Sequence, residues 1–375
     1  MGAWHPGTMR RIARVAASLL VSLVVLSGGR LRVVNGGSDV VPGRNEDSVR
    51  VGVLGLFHPQ HLIVTAPKGQ ALVLRSGEQN MVLENSANQS AVATLQGSAV
   101  VVTSGTRIIR ASAIQIAGRE NQPVDFVLEI PGKIIRPYHG TLEIKASSVD
   151  LSAIVTLDLE TAVASVVAAE SAPDTPLEAL RAHAIAARTY FVSGRGRHKE
   201  FDFCDTTHCQ FLRTPPAASS RAGKAVVDTR GLVLSYQGRP FVAMYSRSCS
   251  GRTRTPAELG FKVAAYPYYA VECEHCRSHP ARWTSRIAAR DAASLRAHDE
   301  SIRLAVDHRL GWSAVPSNDF SLKNEGEFVL LKGVGNGHGI GLCQAGARAM
   351  AEQGATFQQI LDHYYPNTNV VSYSR

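Results

Sequence analysis

A chain of 375 residues, 45% hydrophobic and 19% charged, has enough apolar material for a large core and is not a disordered chain. Its length suggests two or three domains or lobes. The formal net charge of +9 (40 Lys+Arg against 31 Asp+Glu) favours an acidic partner, but no dense basic run with interleaved aromatics occurs, so nucleic acid is not expected.

At the start, Arg10, Arg11 and Arg14 precede an uncharged run from Val15 to Leu26. The run is shorter than the roughly 20 residues of a membrane span. A basic head with a short apolar middle fits an export signal over 1–29; lacking a clear A-x-A site, it also fits an uncleaved anchor. No Cys follows the run, which argues against a lipoprotein. Residues 30–48 read as a linker. From 49 to 155 short β-type runs recur, at 49–56, 61–65, 71–75, 99–103, 107–110, 124–130, 141–146 and 155–159. The expected fold is α+β: a mostly β N-terminal lobe, then a mixed helix and strand core over 156–370.

A helix is expected from 159 to about 169. Its apolar end, Val166-Val167-Ala168-Ala169, runs into Glu170. The next helix has a start signal: Thr175 at the N-cap, Pro176 at the first position and Glu178 closing a capping box. Leu180, Ala184, Ala187 and Phe191 form its apolar stripe. Glu178 thus has a structural task and Glu170 has none, so Glu170 is the candidate acid.

His198, Cys204, His208 and Cys209 then place two imidazoles and two thiols within twelve residues. That is the ligand count of a closed tetrahedral zinc site, structural because no position stays open. A short Cys204–Cys209 disulfide with incidental histidines fits as well. Residues 231–246 read as a hairpin turning at Gln237-Gly238, and 287–310 as helical. Cys273-Glu274-His275-Cys276 reads as a disulfide, with Cys249 as an exchange partner, or as a second metal site; export favours the disulfide. The glycine-rich run from Gly333 to Gly341 lacks the ending of a phosphate loop and the βαβ unit of a dinucleotide site. Either His338 and Gln344 reach a polar ligand from it, or His338 holds a packed turn. A helix over 343–353 closes at Gly354, with Cys343 as a small packed residue. Thr356 and Gln359 form a capping box for the last helix, stopped before Pro366.

Five stretches together resemble the SpoIID/LytB family, that of sporulation stage II protein D and the amidase enhancers. They are V-V-A-A-E at 166–170, P-L-E-A-L-R-A-H-A-I-A-A-R-T-Y at 176–190, C-D-T-T-H-C-Q at 204–210, G-N-G-H-G-I-G-L-C-Q-A-G-A at 335–347 and I-L-D-H-Y-Y-P at 360–366. The resemblance runs from about residue 49 to the C-terminus. It implies a peptidoglycan lytic transglycosylase, which cuts the β-1,4 bond between N-acetylmuramic acid and N-acetylglucosamine and leaves a 1,6-anhydro end. The family's catalytic glutamate falls on Glu170, a functional arginine on Arg188, and its zinc ligands on His198, Cys204, His208 and Cys209. Denuded glycan strands are the implied substrate, a cell-wall amidase is an implied partner, and sporulation need not follow. The sequence departs from the family at Ser171 (usually Met), at Glu160-Thr161-Ala162-Val163 (usually E-D-Y-L), at Ser250-Gly251 (usually Gly-Gly) and at Cys343 (usually Ser).

An ordinary glycosidase needs two carboxylates, and the motif offers one. One suffices when the sugar's own C6 hydroxyl is the nucleophile. Glu170 would protonate the leaving oxygen and then take the C6 hydroxyl proton, a dual role that needs the raised pKa its apolar setting supplies. Arg188 is expected to bind substrate or steady developing charge, or else to pair with Glu178 or Asp174. Tyr245, His338 and Gln344 are groove candidates, Tyr245 being equally a packing residue. The rival class is a non-catalytic, glycan-binding enhancer of an amidase, needing the groove but not Glu170. A zinc hydrolase is disfavoured by the full ligand set. The expected location is the periplasm or cell envelope, with membrane contact only through the N-terminal segment.

Overall fold

The computed structural model describes residues 47–84, 89–206, 208–260 and 266–373, and it is α+β. The export segment expected over 1–29, and the linker as far as residue 46, lie outside the described residues. Among the described residues no helix is long and apolar enough to cross a membrane.

Strands come first: β1 (Ser48–Val53), β2 (His61–Thr65), β3 (Ala71–Ser76), β4 (Gln79–Glu84), β5 (Ser90–Gln96), β6 (Ala99–Ser104), β7 (Arg107–Ala111), β8 (Ala113–Ala117), β9 (Val124–Ile130), β10 (Ile134–Ala146) and β11 (Leu151–Asp158). Alternate side chains such as Leu62 and Val64, Met81 and Leu83, and Phe126 and Leu128 fill one core. The main strand order is β12-β1-β11-β10-β9-β2-β5-β6-β7, where β12 (Phe203–Cys204) joins from later in the chain. The sheet curls because β10 changes partners midway. Residues 134–140 pair with β9, and 141–146 pair with β11 and β8. The change falls at Gly140, with φ +137° and no room for a side chain: a Cβ there would lie 2.4 Å from the Thr156 carbonyl oxygen. Strands β4, β5 and β8 were not expected; β5 and β8 lie within residues 84–120, a polar stretch with weak patterning.

Helix α1 (Leu159–Glu170) leaves the end of β11, where Asp158 accepts the Thr161 N–H at 3.0 Å as N-cap. Helix α2 (Leu177–Ser193) is buried at every position from Ala182 to Phe191. Its expected stripe packs on the sheet core, while Ala179, Ala182, Ile185 and Ala186 enter a second core. Small side chains on both faces let this helix serve as a central post. The expected capping box at Thr175 does not form. Pro176 holds the N-cap position without a side-chain bond. Glu178 instead pairs with Arg181 and accepts the Phe357 N–H at 2.7 Å, which caps a later helix.

Then follow α3 (Arg221–Asp228), β13 (Leu232–Tyr236), β14 (Arg239–Pro240), β15 (Tyr245–Ser246), α4 (Glu274–Ser278), β16 (Arg282–Ala288), α5 (Ala289–Ala292), α6 (Glu300–Leu310), β17 (Asp319–Glu325), β18 (Phe328–Val334), β19 (Leu342–Cys343), α7 (Gln344–Glu352), α8 (Phe357–Tyr364) and β20 (Asn369–Ser372). The hairpin turns at Gln237-Gly238, both with positive φ as a primed turn requires. Its second arm is shorter than expected. Pairing stops at Pro240, and Tyr245-Ser246 pair in parallel with Leu342-Cys343 instead. The stretch 287–310 is not one helix: β16 reaches Ala288, and Asp299 caps a separate α6. The Thr356–Gln359 capping box of α8 forms as expected. Strands β16–β18 and helices α5 and α6 enclose a third core.

Candidate functional site

Glu170 is the last residue of α1. Ser171 is extended (φ −108°, ψ 146°), and Pro173 two positions on prevents the helix from continuing. A carboxylate at a helix C-terminus faces the negative end of the helix dipole. Glu170 Oε1 accepts the Phe211 N–H at 2.9 Å, and Oε2 lies 3.9 Å from His183 Nε2. About a fifth of the side chain (21%) remains exposed, enough for one face to meet a ligand. Burial of the rest holds the carboxyl up at about 7, against the opposing pull of the Phe211 N–H and the Arg213 charge.

His183, on α2, was missed as a site residue by sequence reasoning; it sits in the quoted A-H-A motif with no signal to separate it from the core. Burial lowers its pKa to about 3, so it is a neutral imidazole. Its Nδ1 lies 3.2 Å from Ser171 Oγ and its Nε2 lies 3.3 Å from Gln344 Nε2. With the Gln344 amide donating to Nε2, the ring proton sits on Nδ1 and goes to Ser171. The Nε2 lone pair then faces Glu170 and offers nothing to an ionised carboxylate, in line with the raised pKa. The Tyr245 ring meets His183 edge-on at 4.6 Å. The Tyr245 hydroxyl is buried and has no hydrogen-bond partner, and the Glu170 charge adds to burial in pushing its pKa up. Glu170, Ser171, His183, Tyr245 and Gln344 therefore form one cluster, built from α1, α2 and the β15–β19 pair.

Two further expected groove residues, Arg188 and His338, are held by other groups, His338 against the Tyr245 backbone. Arg188 is fully buried and clamps Glu160 through Nε at 2.8 Å and Nη2 at 2.6 Å. Its Nη1 donates to the Leu232 carbonyl at 3.1 Å. It ties α1, α2 and β13 together from the interior of the fold. The pairing with Glu178 or Asp174 does not form. His338 Nδ1 accepts the Ile340 N–H at 3.0 Å, holding its own turn; burial keeps the ring neutral, at about 4. A cleft of about 550 Å³ on the sheet, between Gln70, Glu84 and Arg119, holds none of these residues.

The segment from 198 to 209, which includes β12, gathers His198, Cys204, His208 and Cys209, with all ligand atoms within 4.8 Å of one another. His198 Nε2 lies 3.3 Å from Cys209 Sγ, and His208 Nδ1 lies 3.6 Å from Cys204 Sγ and 3.4 Å from Cys209 Sγ. Both thiols are free. Edges of about 3.3–3.8 Å are what a tetrahedral ion with bonds of about 2.0–2.3 Å requires. These three separations match, and two imidazoles with two thiols are a donor set that suits a single zinc. The loop is anchored by β12 pairing with β1, and by Asp205, which accepts from Arg136 Nη1 at 2.8 Å and from the Tyr138 hydroxyl at 2.9 Å. Two residues beyond Cys209 comes the Phe211 N–H that holds Glu170.

A family model described as "SpoIID: Stage II sporulation protein" matches residues 147–236, the span that holds Glu170, Arg188 and the whole metal loop. An uncharacterized protein of Brachyspira hyodysenteriae (strain ATCC 49526 / WA1) is 28% identical over 270 residues, covering 64% of this chain and 73% of that protein. A stage II sporulation protein D of Bacillus amyloliquefaciens is 26% identical over 260 residues, covering 57% and 74%. An amidase enhancer of Bacillus subtilis (strain 168) is 25% identical over 275 residues, covering 52% of this chain and 38% of that protein. The family model spans α1 and α2, which carry Glu170 and His183, and the named relatives come from both branches of the resemblance: the chain is similar to the SpoIID/LytB family.

Proposed function

We propose that the protein is an exported lytic transglycosylase of the cell envelope, cutting the MurNAc–GlcNAc β-1,4 bond of peptidoglycan strands and leaving a 1,6-anhydro end. The observation that carries this reading is Glu170, a single carboxyl held near neutrality and part exposed, with no second carboxylate among the groups that shift it. Protonated Glu170 donates to the leaving GlcNAc oxygen. The resulting carboxylate takes the proton from the C6 hydroxyl, whose oxygen closes on C1. Bonds balance without a water molecule. The Phe211 N–H positions the carboxyl, His183 and Gln344 line its side, and the partnerless Tyr245 hydroxyl is a hydrogen-bond group for the sugar.

His198, Cys204, His208 and Cys209 are assigned to one structural zinc. Bound there, it fixes the loop that presents the Phe211 N–H to Glu170 and takes no part in the reaction. Cys204→Ser is expected to lose one zinc per chain by elemental analysis; unchanged zinc content would refute this ligand set.

The name of the Bacillus subtilis relative supports a second reading, a glycan-binding enhancer of an amidase. The purified protein incubated with peptide-free glycan strands separates the two. The enzyme yields shorter strands ending in anhydro-muramic acid. Full-length strands, together with acceleration of an added cell-wall amidase, would overturn the enzyme in favour of the enhancer. The basic chain suits an anionic wall, and any membrane contact is assigned to the N-terminal segment alone.

A further inference from the structure

Behind the β15–β19 pair lies a second thiol cluster. Cys249, Cys273, Cys276 and Cys343 come from three separate segments and place all four Sγ atoms within 4.8 Å of one another. All four are free thiols, and none is more than 3% exposed. We propose that these four cysteines bind a second, structural zinc ion, separate from the His198–Cys209 loop.

Geometry selects a single ion. Cys276 Sγ and Cys343 Sγ stand 3.5 Å apart, a non-bonded separation close to the tetrahedral edge of about 3.8 Å implied by Zn–S bonds of about 2.3 Å. A polynuclear iron–sulfur core would hold the four thiolates farther apart. Tetrahedral S₄ donors otherwise favour zinc, and softness excludes magnesium and calcium.

The surroundings are those of bound thiolates. Cys343 Sγ accepts the Cys249 N–H at 3.3 Å and the Gly346 N–H at 3.4 Å. The Tyr364 hydroxyl lies 3.5 Å from Cys273 Sγ, and the Ser248 hydroxyl 3.5 Å from Cys276 Sγ. The two N–H groups and the Tyr364 hydroxyl thus face a cluster that keeps a net charge of −2 when zinc binds four thiolates. Gly346 has the same origin: a Cβ there would lie 2.5 Å from Cys273 Sγ and 2.0 Å from the Tyr364 hydroxyl. The expected disulfide between Cys273 and Cys276 is not formed.

The position of the centre gives it a task. Ser246 pairs with Cys343 and Tyr245 with Leu342, and Gln344 is the next residue. A metal on Cys343 and Cys249 therefore fixes the strand pair that carries Tyr245 and Gln344 to the Glu170 cluster. This holds whether or not the cluster cuts glycan.

The test is metal stoichiometry on the purified full chain. The wild type is expected to hold two zinc ions. Cys276→Ser should hold one, Cys204→Ser one, and the double variant none. Cys276→His, which keeps a ligand, should retain two, separating loss of a ligand from loss of fold. Cobalt(II) loaded into Cys204→Ser should give the charge-transfer bands of a tetrahedral tetrathiolate. One zinc in the wild type that Cys276→Ser leaves in place would overturn the proposal. So would recovery of Cys249, Cys273, Cys276 or Cys343 in disulfide-linked peptides after alkylation, or iron with acid-labile sulfide in place of zinc.

Discussion

Glu170→Gln is expected to lower the rate of strand cleavage by about 10²–10⁴-fold, the usual contribution of one general acid–base group, with strand binding kept. The amide cannot protonate the leaving oxygen. The wild-type pH profile carries the same signature. Glu170 acts from its protonated form and is held at about 7, so the rate is level below that pH and falls about tenfold per unit above it. His183, neutral above about 3, adds no limb in this range. Stability moves the opposite way. The folded carboxyl lies above its ordinary value of 4.5, so the folded state keeps the proton longer than the unfolded state. Stability is therefore lost as pH rises from about 4.5 to about 7, by at most about 3 kcal/mol. The glutamine variant should melt higher than the wild type at pH 8 and equally at pH 4. Thermal scans at both pH values, beside the rate measurements, check both halves. A variant that is inactive and also less stable at pH 8 would contradict the assigned environment.

Arg188→Ala is expected to cost about 3–5 kcal/mol of folding stability, because it leaves the Glu160 carboxylate in a protein interior without its partner. Arg188 is fully buried and bonded to both Glu160 oxygens. Urea unfolding reads the loss directly. Removing both charges in Glu160→Gln/Arg188→Met should recover part of it, since the uncompensated charge is gone. Were Arg188 a sugar contact, Arg188→Ala would unfold like the wild type and raise KM instead.

What the sequence made legible was local. Glu170 ending an apolar run, the Gln237-Gly238 turn and the Thr356–Gln359 capping box depend on neighbours within a turn or two. The gathering of His198, Cys204, His208 and Cys209 was readable for the same reason: all four lie within twelve residues. What stayed hidden was settled by packing between distant segments. Glu178 caps a helix 179 positions away rather than its own. Arg188 faces Glu160 because α1 and α2 pack face to face, a contact no periodicity encodes. His183 differs from a core residue only because α1 ends beside it. Cys343 looked like a packed thiol until β15 and β19 paired and brought it to Cys249 and the C-x-x-C.

The most direct test of the central claim, that one carboxylate drives ring closure by the sugar's own hydroxyl, is cleavage of peptide-free strands in ¹⁸O-labelled water. The account predicts new muramic ends that are anhydro, one water lighter than reducing ends, and free of label. New reducing ends carrying ¹⁸O would mean that water is the nucleophile, and would contradict it.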